Sequence, residues 1–272
     1  MNLREILTDA IKYPISDTRK FLIFCVLIIL MSLSTVLPSY GLKDGTLAII
    51  LSLVTFIVLF VVLGYSMEII KGGIEGDETL PDFDYVKQFV IGIKAMILEI
   101  IYFIIPAVFV IIVASATGLF SSFTNIVYVA IDTMANNTAT NTATNMTTIM
   151  AAVPKSTMTT FTNAFSVTLT VAIILFIIFS LMSFTGLVRF AKFGSGTEGL
   201  RFMEILKDMK NIGFIKIIIT LIVIYIIALA MVFVIALIGL IPYIGVFIGI
   251  FVGVPFVLLF LYRAVGLLYA DA

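Results

Sequence analysis

Residues 214–237 read FIKIIITLIVIYIIALAMVFVIAL, and beyond Lys216 the polar side chains of this run are those of Thr220 and Tyr225. An α-helix rises 1.5 Å per residue, so the run is long enough to cross a hydrocarbon core about 30 Å thick. It lacks the alternation of polar and apolar residues that is typical of a membrane barrel strand. Because a helix satisfies its own backbone hydrogen bonds in lipid, the run predicts a transmembrane helix.

Five other apolar runs are of comparable length. They are residues 21–37, 47–70, 95–120, 165–189 and 243–267. The chain is 62% hydrophobic and 12% charged, whereas soluble domains carry about 25% charged residues. We therefore predict an all-α integral membrane protein, with residues 1–272 forming a single domain of six transmembrane helices.

The missing residue types exclude several kinds of active site. The chain has no histidine, which rules out Ser-His-Asp triads, HExxH zinc sites and histidine proton relays. Its net charge of zero gives no basic surface for nucleic acid. Cys25 is the one cysteine and cannot form an internal disulfide. We predict a protein that is not an enzyme and that uses no cofactor and no metal.

Cationic residues near the ends of spans indicate the orientation of a membrane protein. If the N-terminus is cytoplasmic, all of the 16 Lys and Arg residues except Lys43 and Lys155 lie on the cytoplasmic side. This bias predicts that both termini are cytoplasmic.

The outer face is then mostly one loop, residues 121–163, which contains the tract NNTATNTATNMTT. The tract has almost no charge and little apolar surface to bury, so it predicts a flexible loop. Asn136 and Asn145 begin Asn-x-Thr sequons on the side where glycans are added. The alternative is a polar spacer in which such sequons occur by chance.

The segment between spans two and three, GGIEGDETLPDFDYVKQF at residues 72–89, is rich in acidic residues. Their order does not match the ligands of an EF-hand, so we interpret them as a solvated loop with helix caps. Gly72 and Gly73 are predicted to end the second span. Thr79 is predicted to cap a short amphipathic helix on the membrane surface. The apolar face of that helix would comprise Leu80, Phe83, Val86 and Val90.

Amphipathic segments also precede spans one and five, which gives three predicted surface helices on the cytoplasmic side. Glu5-Ile6-Leu7 with Asp9 matches Glu204-Ile205-Leu206 with Asp208. Two sets of glycines have similar spacings, namely Gly64, Gly72 and Gly92 and then Gly186, Gly194 and Gly213. These similarities predict a parallel internal repeat, an arrangement that occurs in transporters.

The chain also resembles a family of uncharacterised membrane proteins, the domain-of-unknown-function 4013 family, found mainly in methanogenic archaea. The matching residues are Gly64-Tyr65, Gly72, Leu80-Pro81-Asp82-Phe83-Asp84, Gly92, Tyr102 and Pro106. The resemblance implies a multi-pass protein of an archaeal plasma membrane. It implies no activity.

Ionisable residues inside a membrane are costly and are therefore the first candidates for function. Glu99 shares a helix face with Tyr102 and Pro106, and Pro106 cannot donate a hydrogen bond to the carbonyl of Tyr102. These groups predict a polar stripe that lines a path for a solute or a proton. The alternative is structural, with ion pairs among Glu68, Glu99, Arg189 and Arg263 at the cytoplasmic ends of their spans.

Gly245, Gly249 and Gly253 lie on one face of the last span and predict close helix packing, either within the monomer or at a dimer face. Two classes of function stay open. The first is a non-enzymatic scaffold that contacts lipid, a protein partner or a second copy. The second is a small-solute or ion transporter that uses the stripe on span three.

Overall fold

The computed structural model describes residues 2–39, 41, 44–139, 145–241 and 244–270; Lys43 and Tyr243 lie outside these ranges. The first part of the chain forms α1 (Leu3–Lys12), α2 (Thr18–Ser39), α3 (Gly45–Glu75), α4 (Tyr85–Ala116), α5 (Leu119–Ala139) and α6 (Met146–Ala152). The second part forms α7 (Lys155–Phe193), α8 (Phe202–Ile212), α9 (Phe214–Gly239), α10 (Ile244–Ile248) and α11 (Val254–Tyr269).

The predicted fold class is confirmed. Within the described ranges all regular structure is helical, and six helices are long and apolar enough to span a membrane. Five of them are α2, α3, α4, α7 and α9, and the sixth runs over Gly249–Tyr269, a π-helical turn followed by α11.

The chain divides into two compact units. Unit 1 comprises Met1–Glu99 and Met182–Ala272, and unit 2 comprises Ile100–Leu181. The core of unit 1 surrounds the buried ring of Tyr65, which stacks on Phe83 at 4.3 Å and on Phe24 at 5.4 Å between ring centroids.

Glycines allow the helices of unit 1 to approach closely. A methyl group on Gly64 would overlap the carbonyl of Gln88, and one on Gly92 would overlap the carbonyl of Phe60, so α3 and α4 cross there in backbone contact. A methyl group on Gly73 would lie 2.9 Å from the Cα of Gly266, where α3 meets α11. Such contact is how helices associate in lipid, where water exclusion supplies no driving force.

The second span ends later than predicted. Gly72 and Gly73 lie inside α3, which continues to Glu75 and ends at Gly76 in the left-handed conformation, with φ of 82°. The physical reason is that Gly73 is used for packing against α11, whereas Gly76 adopts the positive φ that favours glycine.

The predicted surface helix before span three does not form as a separate element. Thr79 and Leu80 lie in a non-helical segment, residues 77–84, and α4 runs without interruption from Tyr85. The cap is Asp84, whose carboxylate accepts a hydrogen bond from the backbone N–H of Lys87 at 3.1 Å. Thr79 is therefore not the cap.

Most of the predicted outer loop is helical in unit 2. Residues 121–139 belong to α5, residues 146–152 form α6, and α7 begins at Lys155, well before the predicted start of span four. Polar residues fit these helices because their hydroxyls bond back to the preceding turn, as Thr133 does to the carbonyl of Val129 at 2.7 Å. The sequon residue Asn136 lies in α5, and Asn145 caps α6. Glycosylation of either asparagine stays a prediction.

Candidate functional site

The family-like motif at residues 80–84 is part of the non-helical segment 77–84, in which side chains from other elements bind backbone carbonyls. Four successive carbonyls accept hydrogen bonds, each from a different element of unit 1. The pairs are Tyr13 to Thr79 (3.1 Å), Lys20 to Leu80 (2.7 Å), Tyr65 to Pro81 (3.2 Å) and Gln88 to Asp82 (3.0 Å). Because the segment has no partner strand, these side chains satisfy backbone groups that would otherwise be unpaired. The motif fastens α1, α2, α3 and α4 together.

The acidic residues of this region have structural partners. The Lys20 ammonium lies 2.8 Å from the Asp82 carboxylate, and its hydrogen bond and charge lower the pKa of Asp82. Glu75 pairs with Lys71 one turn earlier in α3. Among the described residues no group of three or more Cys, Asp or Glu side chains is placed to hold a metal ion.

Helices α1 and α8 are each held by an arginine from the end of a span. Arg263 of α11 is 1% exposed, and its Nε donates to Asp9 of α1 at 2.7 Å. Arg189 of α7 donates to Asp208 of α8 at 2.6 Å and to Glu198 at 2.8 Å. Both arginines also stack on an aromatic ring, which is Tyr13 at 4.4 Å for Arg263 and Phe193 at 5.0 Å for Arg189.

The two helices are docked in the same register. In α1 and the turn that follows it, the buried residues are Ile6, Ala10, Tyr13 and Pro14; in α8 they are Ile205, Met209 and Ile212. When the matching Glu-Ile-Leu-x-Asp sequences are aligned, the first three of α1 coincide with the three of α8. The shared sequence therefore corresponds to a shared mode of packing, which supports the predicted repeat for these helices.

The glycine spacings do not support the repeat, because the aligned glycines have different roles. Gly72 is inside α3, whereas Gly194 follows α7 with φ of 68°. Gly92 is inside α4, whereas Gly213 separates α8 from α9. Beyond the two surface helices the repeat stays a prediction.

Of the four residues predicted to form ion pairs, Glu68, Arg189 and Arg263 are paired, but not with one another, and Glu99 makes no ion pair among the described residues. Glu68 binds Lys87 at 2.6 Å and accepts a hydrogen bond from Gln88 at 2.7 Å, both at the start of α4. Arg189 and Arg263 bind carboxylates near or within α8 and α1. The prediction considered only charges inside the spans. The aspartates of the shared sequence, Asp9 and Asp208, were the signal that could have identified the partners of the two arginines.

The three residues of the predicted polar stripe do not share an environment. Glu99 is exposed, whereas Tyr102 is 1% exposed and Pro106 is buried. Within unit 1 the hydroxyl of Tyr262 lies close enough to Ser66 and to the Glu99 carboxylate to interact with both electrostatically. Sequence reasoning missed Ser66 and Tyr262 because they lie on α3 and α11 and meet only in the folded chain.

The glycines of the last span face α9 of the same chain. A methyl group on Gly245 would overlap the carbonyl of Ile238, and methyl groups on Gly249 and Gly253 would lie 3.1 and 2.6 Å from the side chain of Ile235. This contact corresponds to the predicted packing within the monomer.

A family model described as "Protein of unknown function (DUF4013)" matches residues 47–241, which is most of the chain. No curated protein matches the chain, and no solved structure matches it. The matched residues include the motif at 80–84 and all of α8, whereas α1 and α11 lie outside them. The chain belongs to the DUF4013 family, as its resemblance predicted.

Proposed function

We propose that this member of the DUF4013 family is a non-enzymatic component of the plasma membrane, with both termini cytoplasmic, whose helices α1 and α8 contact lipid at the inner surface. The observation that carries the proposal is the identical docking register of the two helices. Each helix buries one face against the rest of unit 1 and is fixed by an arginine. Its opposite face is therefore exposed.

The outward faces have the composition of interfacial helices. Arg4, Ile11 and Lys12 are exposed on α1, and Met203, Leu206, Lys207 and Lys210 are exposed on α8. Apolar residues beside cations are favoured at the boundary between acyl chains and anionic headgroups, because the apolar groups enter the boundary while the cations remain at the phosphates.

Site-directed fluorophores test this contact. With Cys25 replaced by serine, single labels at Met203→Cys (72% exposed) and Ile15→Cys (64% exposed) are compared with a label at the exposed Glu78→Cys. In liposomes we expect brominated lipids to quench the first two labels and a water-soluble quencher to act mainly on the third. Equal aqueous quenching of all three labels would contradict the proposal.

The orientation has an independent test. An amine reagent that does not cross membranes should label Lys155 in intact cells and should leave Lys192 unlabelled until the cells are opened. Labelling of Lys192 from outside would reverse the proposed orientation.

A second candidate function, transport of a small solute or ion, is favoured by one observation. The hydroxyls of Ser66 and Tyr262, with the nearby Glu99 and Tyr225, form a polar group among otherwise apolar spans. If this group lines a water-filled path, Glu99→Cys and Tyr262→Cys should both react with a membrane-impermeant thiol reagent in the Cys25→Ser background. Protection of both cysteines would reject transport through this group.

A further inference from the structure

The start of α4 carries a surface hollow whose charges suit a zwitterionic headgroup. The hollow has a volume of about 650 Å³, and its lining includes Lys87 and Lys94 with Val90 and Ile91 between them. Residues seven apart lie on the same face of a helix, so the two lysines flank an apolar floor. The lining also includes Gly194, where a methyl group would meet no atom within 4 Å.

The charged residues of the lining sum to zero once Glu68, the partner of Lys87, is counted with them. Lys87 and Lys94 are cationic, and Asp84 and Glu68 are anionic. Lys87 is neutralised by Glu68 at 2.6 Å. Lys94 makes no ion pair or hydrogen bond within the part of the chain that the structure describes. The hollow therefore presents one available cation, Lys94, and one carboxylate, Asp84, whose Oδ1 caps α4.

We propose that this hollow binds a phospholipid with a primary-amine headgroup, with its phosphate on Lys94 and its ammonium on Asp84. Lys94 lies ten residues further into the apolar helix than Asp84, about 15 Å along the axis. A lysine side chain extends back toward the helix N-terminus, which shortens the gap to Asp84. A headgroup in a membrane has the matching order, because its phosphate lies nearer the acyl chains than its amine does.

This order and the zero net charge favour a zwitterionic lipid over an anionic one. The headgroup of phosphatidylglycerol has the same phosphate charge but no cation, so it would leave the carboxylate of Asp84 without a counter-charge. A primary amine donates hydrogen bonds to a carboxylate, whereas a quaternary ammonium has no N–H to donate. The site should thus prefer phosphatidylethanolamine to phosphatidylcholine and to phosphatidylglycerol.

The test is native mass spectrometry of the full chain, released from nanodiscs that contain equal amounts of these three lipids with the same acyl chains. We expect phosphatidylethanolamine to be retained preferentially. Lys94→Gln should lower its retention about tenfold, because a charge-assisted hydrogen bond to phosphate is lost. Lys94→Arg should retain it, and Lys71→Gln on α3 is the matched control that should leave it unchanged.

Asp84→Asn separates recognition of the amine from folding. Asparagine is as good a helix cap as aspartate, so α4 should remain intact while the preference over phosphatidylcholine disappears. Preferential retention of phosphatidylglycerol, displacement of the lipid by millimolar inorganic phosphate, or indifference to Lys94→Gln would each overturn the proposal.

The site rests on the proposed function only in that lipid must reach the start of α4. The two results are distinguishable, since the labels at Ile15, in the turn after α1, and at Met203 on α8 report the surface contact, whereas lipid selectivity reports the hollow. Dependence of retention on Lys94 together with water-exposed labels at both positions would sustain the site and reject the surface contact.

Discussion

Helices α1 and α8 bury equivalent positions, but the arginines that hold them are neutralised differently. Arg263 binds Asp9 alone, and its Nη1 has no hydrogen-bond partner among the described residues. Arg189 binds two carboxylates, Asp208 and Glu198, and Glu198 binds Arg201 in turn. A network tolerates the loss of one member, whereas a single pair does not, so we expect α1 to be the more easily released helix.

The largest effect is expected from Asp9→Asn, which leaves the buried Arg263 without a counter-charge. Breaking a buried pair typically costs roughly 3–5 kcal/mol, and the 39% exposure of the Asp9 side chain places the expected loss near the lower value. Amide hydrogen exchange should show α1 opening at least a hundredfold more often, with α8 unchanged. Unchanged exchange in α1 would show that Arg263 does not hold this helix.

Alkaline pH should also loosen α1 selectively. Burial, opposed by the charge of Arg263, raises the pKa of Tyr13 from 10.0 to about 12. The folded state therefore holds the phenol proton more tightly, and its advantage is complete below pH 10 and is lost between pH 10 and about 12. The loss is about 2–3 kcal/mol for a shift of this size.

Helix α8 has Ile212 at the position of Tyr13 and should not respond in the same way. Tyr13→Phe is the control, because it keeps the aromatic ring and removes the titrating hydroxyl. If the pH dependence of α1 exchange persisted in Tyr13→Phe, Tyr13 would not be its cause.

A smaller effect is expected from Asp208→Asn, because Glu198 still neutralises Arg189. The expected loss is about 1 kcal/mol, measured by hydrogen exchange in α8. The double variant Asp208→Asn with Glu198→Gln should approach the loss expected for Asp9→Asn. An additive pair of small effects would contradict the network.

The smallest effects on stability are expected at the two glutamates of the shared sequence, which should differ from each other. Glu5 completes a capping box with Asn2 at the start of α1, whereas Glu204 makes an exposed pair with Lys207. Glu5→Ala should cost about 1 kcal/mol, and Glu204→Ala should cost less, because its ion pair is exposed to solvent. Thermal unfolding in detergent should rank them in that order.

Several residues of the candidate site have neighbours that the sequence did not predict, for a common physical reason. The charged residues near span ends were recognised, but Glu68, Arg189 and Arg263 take partners from segments remote in the chain. Glu99, Tyr102 and Pro106 obey helical spacing, and spacing alone does not say which neighbours cover a helix face. The start of α4 was misplaced because local signals favoured Thr79, whereas the carbonyls of residues 79–82 are bound by four distant side chains.

The amino-acid order alone determined that this chain is helical and crosses a membrane six times, because lipid requires each apolar run to satisfy its own backbone. It also marked α1 and α8 as related, through a sequence repeated with the same burial. The tertiary structure alone decided which aspartate faces which arginine and how the segment between α3 and α4 is fastened. Those contacts join residues up to 254 positions apart, so no local pattern encodes them.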